Sequence, residues 1–207
     1  MADDIGECFA QGRQHLWAHR IGHRRVERAL QGYSGLESQG RGRVLSDLEQ
    51  FSITRDGAPF QAVDFNFWGV TFARDANHFY ATLGTGGTTY LIEGDLGARQ
   101  ARVLVDNVEC PSLSPDNRLI AFKKKVGTGA DPWRLYILDV AALTDRPLAT
   151  ETRSIDDQIE WLDDGHVLYA SARPKTSASR DVWMAPIDNS AAPQIFIPEA
   201  ESPIVVR

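Results

Sequence analysis

The sequence predicts an all-β fold, a β-propeller of four-stranded blades, and three observations carry that prediction. Three stretches, 68–107, 110–152 and 158–200, lie on top of one another, each reading strand, Asp turn, strand, loop, strand, Asp turn, strand. Their third strands close on Asp95, Asp139 and Asp188, 44 and 49 residues apart, a spacing that fits four strands joined by loops of variable length. A unit of this size buries its sheet only against its neighbours, so the repeat implies stacking.

The first turn of each unit sits in "FARDANHFYAT", "LSPDNRLIAFKK" and "WLDDGHVLYAS", where Asp75, Asp116 and Asp164 mark a hairpin between two apolar strands. Asp, Asn and Gly make local side-chain bonds there and tolerate left-handed backbone. By this alignment Phe72, Leu113 and Trp161 are equivalent first-strand positions, expected to pack between adjacent blades. Gly84-Thr85-Gly86-Gly87 and Gly127-Thr128-Gly129 fall between second and third strands. Neither precedes a helix, so both read as hairpins rather than phosphate-cradling loops. The third strands follow as "TYLIEGD", "RLYILDV" and "DVWMAPID".

Upstream, 51–66 matches the last two strands of a unit, and 202–207 resembles the opening strand of another. The expected count is three whole blades, about 67–107, 108–154 and 155–201, with partial blades at both ends. Shared use of the two remnants in one blade would close a small four-blade ring, with Val44-Leu45 a poor second strand. An open arc is the favoured expectation, with unpaired edges that drive self-association.

Residues 1–42 lack the repeat and are expected to form a helical or disordered leader ending in a Gly/Ser-rich linker, followed by the propeller at 43–207. Residues 1–43 hold seven Lys or Arg against five acids, and 44–207 hold fifteen against twenty-three, giving +2 and −8. An acidic propeller has no electrostatic footprint for nucleic acid. The basic run Lys123-Lys124-Lys125 is expected to be a solvated strand end. No run approaches the roughly 20 apolar residues of a membrane span, and 1–28 lacks the apolar core of a signal peptide.

The stretches "CPSLSPDNRLIAFKK" and "RLYILDV" resemble TolB-like (WD-repeat-like) propeller blades, and 51–207 looks like the TolB-like propellers of actinobacteria. The resemblance covers about three quarters of the chain and departs from Ser-Pro-Asp at Ala73-Arg74-Asp75 and Trp161-Leu162-Asp163-Asp164. It implies a six-blade ring, hence an amino-terminally truncated copy, and an extracytoplasmic location that conflicts with the missing signal peptide. It also connects the blades with the propellers of prolyl-oligopeptidase-type enzymes.

No catalytic or metal-binding pattern is complete in the sequence, so no residue is assigned to a site. Gly32-Tyr33-Ser34-Gly35 has the wrong spacing for a nucleophile elbow. His78 and His166 flank hairpin turns and read as surface residues. His15, His19 and His23 share one helical stripe without a completing Cys or Asp cluster. The acids Asp156, Asp157, Glu160, Asp163 and Asp164 lack the alternating spacing of a cation loop. Cys110 reads as a small buried hydrophobe and Cys8 as an incidental thiol. The expectation is therefore a non-catalytic protein-interaction scaffold without cofactor or metal, its partner another protein. The alternative is an accessory propeller gating a split oligopeptidase-type hydrolase.

Overall fold

The structure, a computed structural model, describes residues 51–129, 132–172 and 180–206. The leader, its histidine stripe, Val44-Leu45 and the 32–35 motif lie outside the described residues. Among the described residues every regular element is a strand, and no helix is long and apolar enough to cross a membrane.

Three antiparallel meanders make three blades. Blade 1 is β3 (Asn66–Phe72), β4 (His78–Thr85), β5 (Thr88–Asp95) and β6 (Gln100–Asp106). Blade 2 is β7 (Val108–Leu113), β8 (Leu119–Lys125), β9 (Trp133–Asp139) and β10 (Thr144–Pro147). Blade 3 is β11 (Glu160–Asp163), β12 (His166–Ala172), β13 (Arg180–Pro186) and β14 (Gln194–Ile197). The fold is an all-β propeller with partial blades.

Alternation along the second strands explains the stacking, because successive side chains point to opposite faces of a sheet. In β8, Ile120 and Phe122 join Tyr80, Leu91, Val108 and Leu138 between blades 1 and 2. Ala121 instead joins Leu135, Ile137, Trp161, Val167 and Tyr169 between blades 2 and 3. Phe72, Leu113 and Trp161 are equivalent by pairing, opposite Phe79, Ile120 and Val167. Leu113 and Trp161 are buried against the preceding blade, and Phe72 is half-buried on the corresponding face.

The segment before blade 1 forms a hairpin, β1 (Ser52–Arg55) with β2 (Ala58–Pro59), as the repeat alignment suggests. Its sheet membership is different from that of an earlier blade. β1 runs parallel to β6, pairing Ser52 with Gln100 and Thr54 with Arg102, and so extends the outer edge of blade 1. Phe51, Phe60 and Phe65 then cover the face of Phe79, Ala81 and Leu83 that a preceding blade would otherwise cover. Phe51 meets Phe79 edge-on at 6.1 Å between centroids, and Phe60 meets Tyr90 at 5.2 Å. Thr85 fastens the end of this cap: its hydroxyl donates to the Val63 carbonyl at 2.6 Å and accepts from the Val63 N–H at 2.9 Å.

The first-strand bulges of blades 1 and 2 place Gly69 (φ +59°) and Cys110 (φ +53°) in left-handed backbone. A Cβ on Gly69 would stand 3.0 Å from the Cys110 Cα, so the two bulges approach backbone to backbone. Cys110 is fully buried, as expected, but its sulfur is held in a disulfide instead of as a thiol. Cys8 lies outside the described residues. At the other end, 202–206 carries no strand.

Candidate functional site

The first hairpin turn of each blade closes on an aspartate. Asp75 accepts backbone N–H bonds from Asn77 and His78, both at 2.9 Å, and Asp116 accepts from Arg118 at 3.0 Å. In blade 3 the equivalent residue is Asp163, which accepts from Gly165 at 2.7 Å, and not Asp164 as the alignment has it. Asp164 reaches across instead and accepts the Asp116 N–H at 3.0 Å, linking the turns of two blades. His78 and His166 carry the same local pairing: their Nδ1 atoms lie 2.6 Å from Asp75 and 2.9 Å from Asp163. Backbone and side-chain bonds from His78 hold the exposed Asp75 carboxyl down to about 2. Asp75 in turn raises the His78 imidazole above its ordinary value.

The opposite end of the blades, where β8 turns into β9 and the 148–159 strap crosses to β11, gathers the buried charge. Lys123 is 2% exposed and lies between two carboxylates, Glu109 at 3.3 Å and Asp156. Its ammonium also stands 4.6 Å from the centroid of the Trp133 ring. Lys124 pairs with Asp145 and lies over Tyr136 at 5.0 Å. The basic run is thus not a solvated strand end: Lys123 is sealed in the seam between blades 2 and 3, and Lys125 alone of the three is exposed. Cross-strand register explains this, since 121, 123 and 125 share the face turned toward blade 3.

A second group lies on the same seam. Glu151, 5% exposed, takes a bidentate pair from Arg153 at 2.8 and 2.5 Å and the Tyr169 hydroxyl at 2.5 Å. Burial alone would raise the Glu151 carboxyl, but these donors outweigh it and hold the group below the usual range. Burial and the adjoining carboxylate push the Tyr169 phenol up. The Arg153 guanidinium stacks on Trp183 at 3.9 Å. Nearby, Asp157 accepts the Ala170 N–H at 2.9 Å, and burial raises its carboxyl. Burial likewise raises Glu109, against the pull of Lys123.

The acids singled out in sequence are therefore dispersed: Asp156 on Lys123, Asp157 on β12, Asp163 on His166, Asp164 on blade 2. Among the described residues no three His, Cys, Asp or Glu groups converge as a metal site would need. Gly86 and Gly87 take left-handed backbone at φ +59° and +76° in the β4–β5 hairpin, so that segment is a turn. Chemically, the seam offers two tryptophan faces, Trp133 and Trp183, each half-buried and overlain by a cation, at the rim of a charge-compensated interior. Sequence reasoning did not find Glu151, Arg153 or Trp183, although Glu151 and Arg153 stand two residues apart in the chain.

Comparison with solved structures identifies the fold as a β-propeller, shared with TolB proteins and with the propeller domains of peptidases. The chain is similar to TolB from Acinetobacter baumannii, with a TM-score of 0.52 and 17% identity over 68% of this chain and 34% of that one. It is similar to a putative TolB from Agrobacterium tumefaciens, at 0.50 and 12% over 67% and 49%. The β-propeller domain of the Trilobed protease from Pyrococcus furiosus, described as having an open velcro topology, matches at 0.50 and 14% over 62% and 42%. The matched region thus spans between a third and a half of these proteins. No protein-family model matches the sequence, and no curated protein matches it.

Proposed function

We propose that this propeller is a non-catalytic scaffold that docks another protein. The observation carrying the proposal is the seam rim, where Trp133 and Trp183 are half-buried and overlain by Lys125 and Arg153, at 5.9 and 3.9 Å. Tryptophan and arginine are the residue types that concentrate binding energy at protein interfaces. The ionisable groups beneath are already bonded to one another, which supports a structural use for them. The test is affinity capture of a partner followed by binding with the isolated pair. Lys125→Glu, on an exposed side chain, should weaken that complex about tenfold while leaving the melting temperature unchanged. Peptide hydrolysis by the purified chain alone would overturn the reading.

The similarity to a protease propeller favours one second reading, an accessory propeller that gates a hydrolase carried on another chain. Adding the purified chain would then change the size selectivity of that hydrolase toward peptides, and the scaffold reading expects no such change.

A further inference from the structure

We infer that Cys110 is cross-linked to Cys8 of the same chain, a disulfide that ties the amino-terminal segment to the first strand of blade 2. The proposal is independent of the scaffold reading. Cys110 is disulfide-bonded, and the sequence contains two cysteines, Cys8 and Cys110. Cys110 of a second copy is excluded as the partner, since the side chain is fully buried and two such sulfurs cannot meet across a surface. Cys8 is the partner by elimination. Within one chain it is held at a far higher effective concentration than Cys8 of another copy. Reach sets no obstacle: the roughly 40 residues from Cys8 to Phe51 extend to about 140 Å.

The backbone at Cys110 gives a second reason. By the shared bulge, position 110 of β7 matches Gly69 of β3, and the two take left-handed backbone at φ +53° and +59°. Glycine suits that conformation, and a residue with a Cβ is disfavoured there. Blade 2 nevertheless carries cysteine, its N–H donating to the Thr82 hydroxyl at 3.0 Å. A cross-link is a use of the side chain that glycine could not serve. The bond closes a loop containing β1, β2 and the whole of blade 1, so the cap of Phe51, Phe60 and Phe65 is enclosed with the blade it covers. Forming it moves two electrons and two protons from the Cys8 and Cys110 thiols to a disulfide oxidant, which leaves as two thiols. A dithiol reductant reverses the exchange.

The test is a tryptic map of the full chain, equilibrated with oxidised glutathione and digested without reductant. Peptide 1–13, cut at Arg13, should appear joined to peptide 103–118, cut at Arg102 and Arg118. Adding a dithiol should resolve the joined mass into the two peptides. Cys8→Ser should melt about 5–15 °C below the oxidised chain, because the loop constraint on the unfolded state is lost. Dithiothreitol should lower the melting of the unaltered chain by a similar amount and leave that of Cys8→Ser unchanged, a pairing that a variant which merely folds poorly does not reproduce. Separate peptides 1–13 and 103–118 with both thiols open to alkylation, a reductant-sensitive dimer on a denaturing gel, or equal melting of the oxidised chain and Cys8→Ser would each overturn the proposal.

Discussion

The Trp161 indole N–H donates to the Ser112 carbonyl at 2.7 Å, so the largest fully buried side chain of blade 3 is bonded to the first strand of blade 2. The ring supplies apolar area and its one polar atom is satisfied in the same contact, as buried tryptophan requires. Trp161→Ala should cost roughly 3–5 kcal/mol in denaturant melts, the range for truncating a large core aromatic. Trp161→Phe keeps most of the packing but orphans the carbonyl, and should cost about 1–3 kcal/mol. A loss below about 1 kcal/mol for the alanine variant would contradict this packing.

Gly94 has a comparable role inside blade 1. A Cβ there would stand 2.1 Å from the Phe79 Cζ, so the ring lies against bare backbone. Gly94→Ala should destabilise by about 1–3 kcal/mol through overpacking. Phe79→Leu in the same chain should restore part of the loss, read as a positive coupling in a double-mutant cycle.

Lys123 tests the seam. Lys123→Met leaves the half-buried Glu109 without its counter-ion and should cost about 2–4 kcal/mol, toward the low side of the buried-pair range because Asp156 reaches water. Adding Glu109→Gln should recover part of that loss. If the double variant is no better than the single one, packing of the lysine stem on Trp133 dominates the effect.

His78 sets a pH dependence that can be read by NMR titration. Its folded-state value is raised above about 6.5, mainly by Asp75, so the contribution to stability is full below the unfolded value. That contribution is lost as pH rises through the raised value. Asp75, lowered to about 2, behaves oppositely: its contribution is present above about 3.9 and disappears as pH falls through about 2. Asp75→Asn should bring the His78 titration back toward the ordinary imidazole value.

The blade repeat was legible because its signals are local. Asp75 and Asp116 reveal themselves within a few residues, and pairing of Leu113 with Ile120 follows from the hairpin between them. Blade 3 shows the limit: adjacent aspartates at 163 and 164 offer two turn registers, and only the bulge between Trp161 and Asp163 decides. Lys123 shows another, since its partner Asp156 is 33 residues away and a run of three lysines looks solvated in isolation. The Glu151, Arg153 and Trp183 group is hidden for the same reason. The 51–66 segment was recognisable as strand, but alternation does not say which sheet a strand joins.

The pairing of β1 with β6 places a demand on the order in which the chain takes shape. Thr54 reaches the Ala101 carbonyl, 47 residues onward, so β1 has no surface to dock on until β6 exists. Closing that loop costs entropy that blade 1 must first offset with its own local hairpins. During synthesis Phe51, Ile53 and Phe60 therefore leave the ribosome well before their partners do. The earliest described strand to be translated is the one that must wait, and its aromatic residues are exposed to chaperones or to misplaced contacts until about residue 106 has emerged.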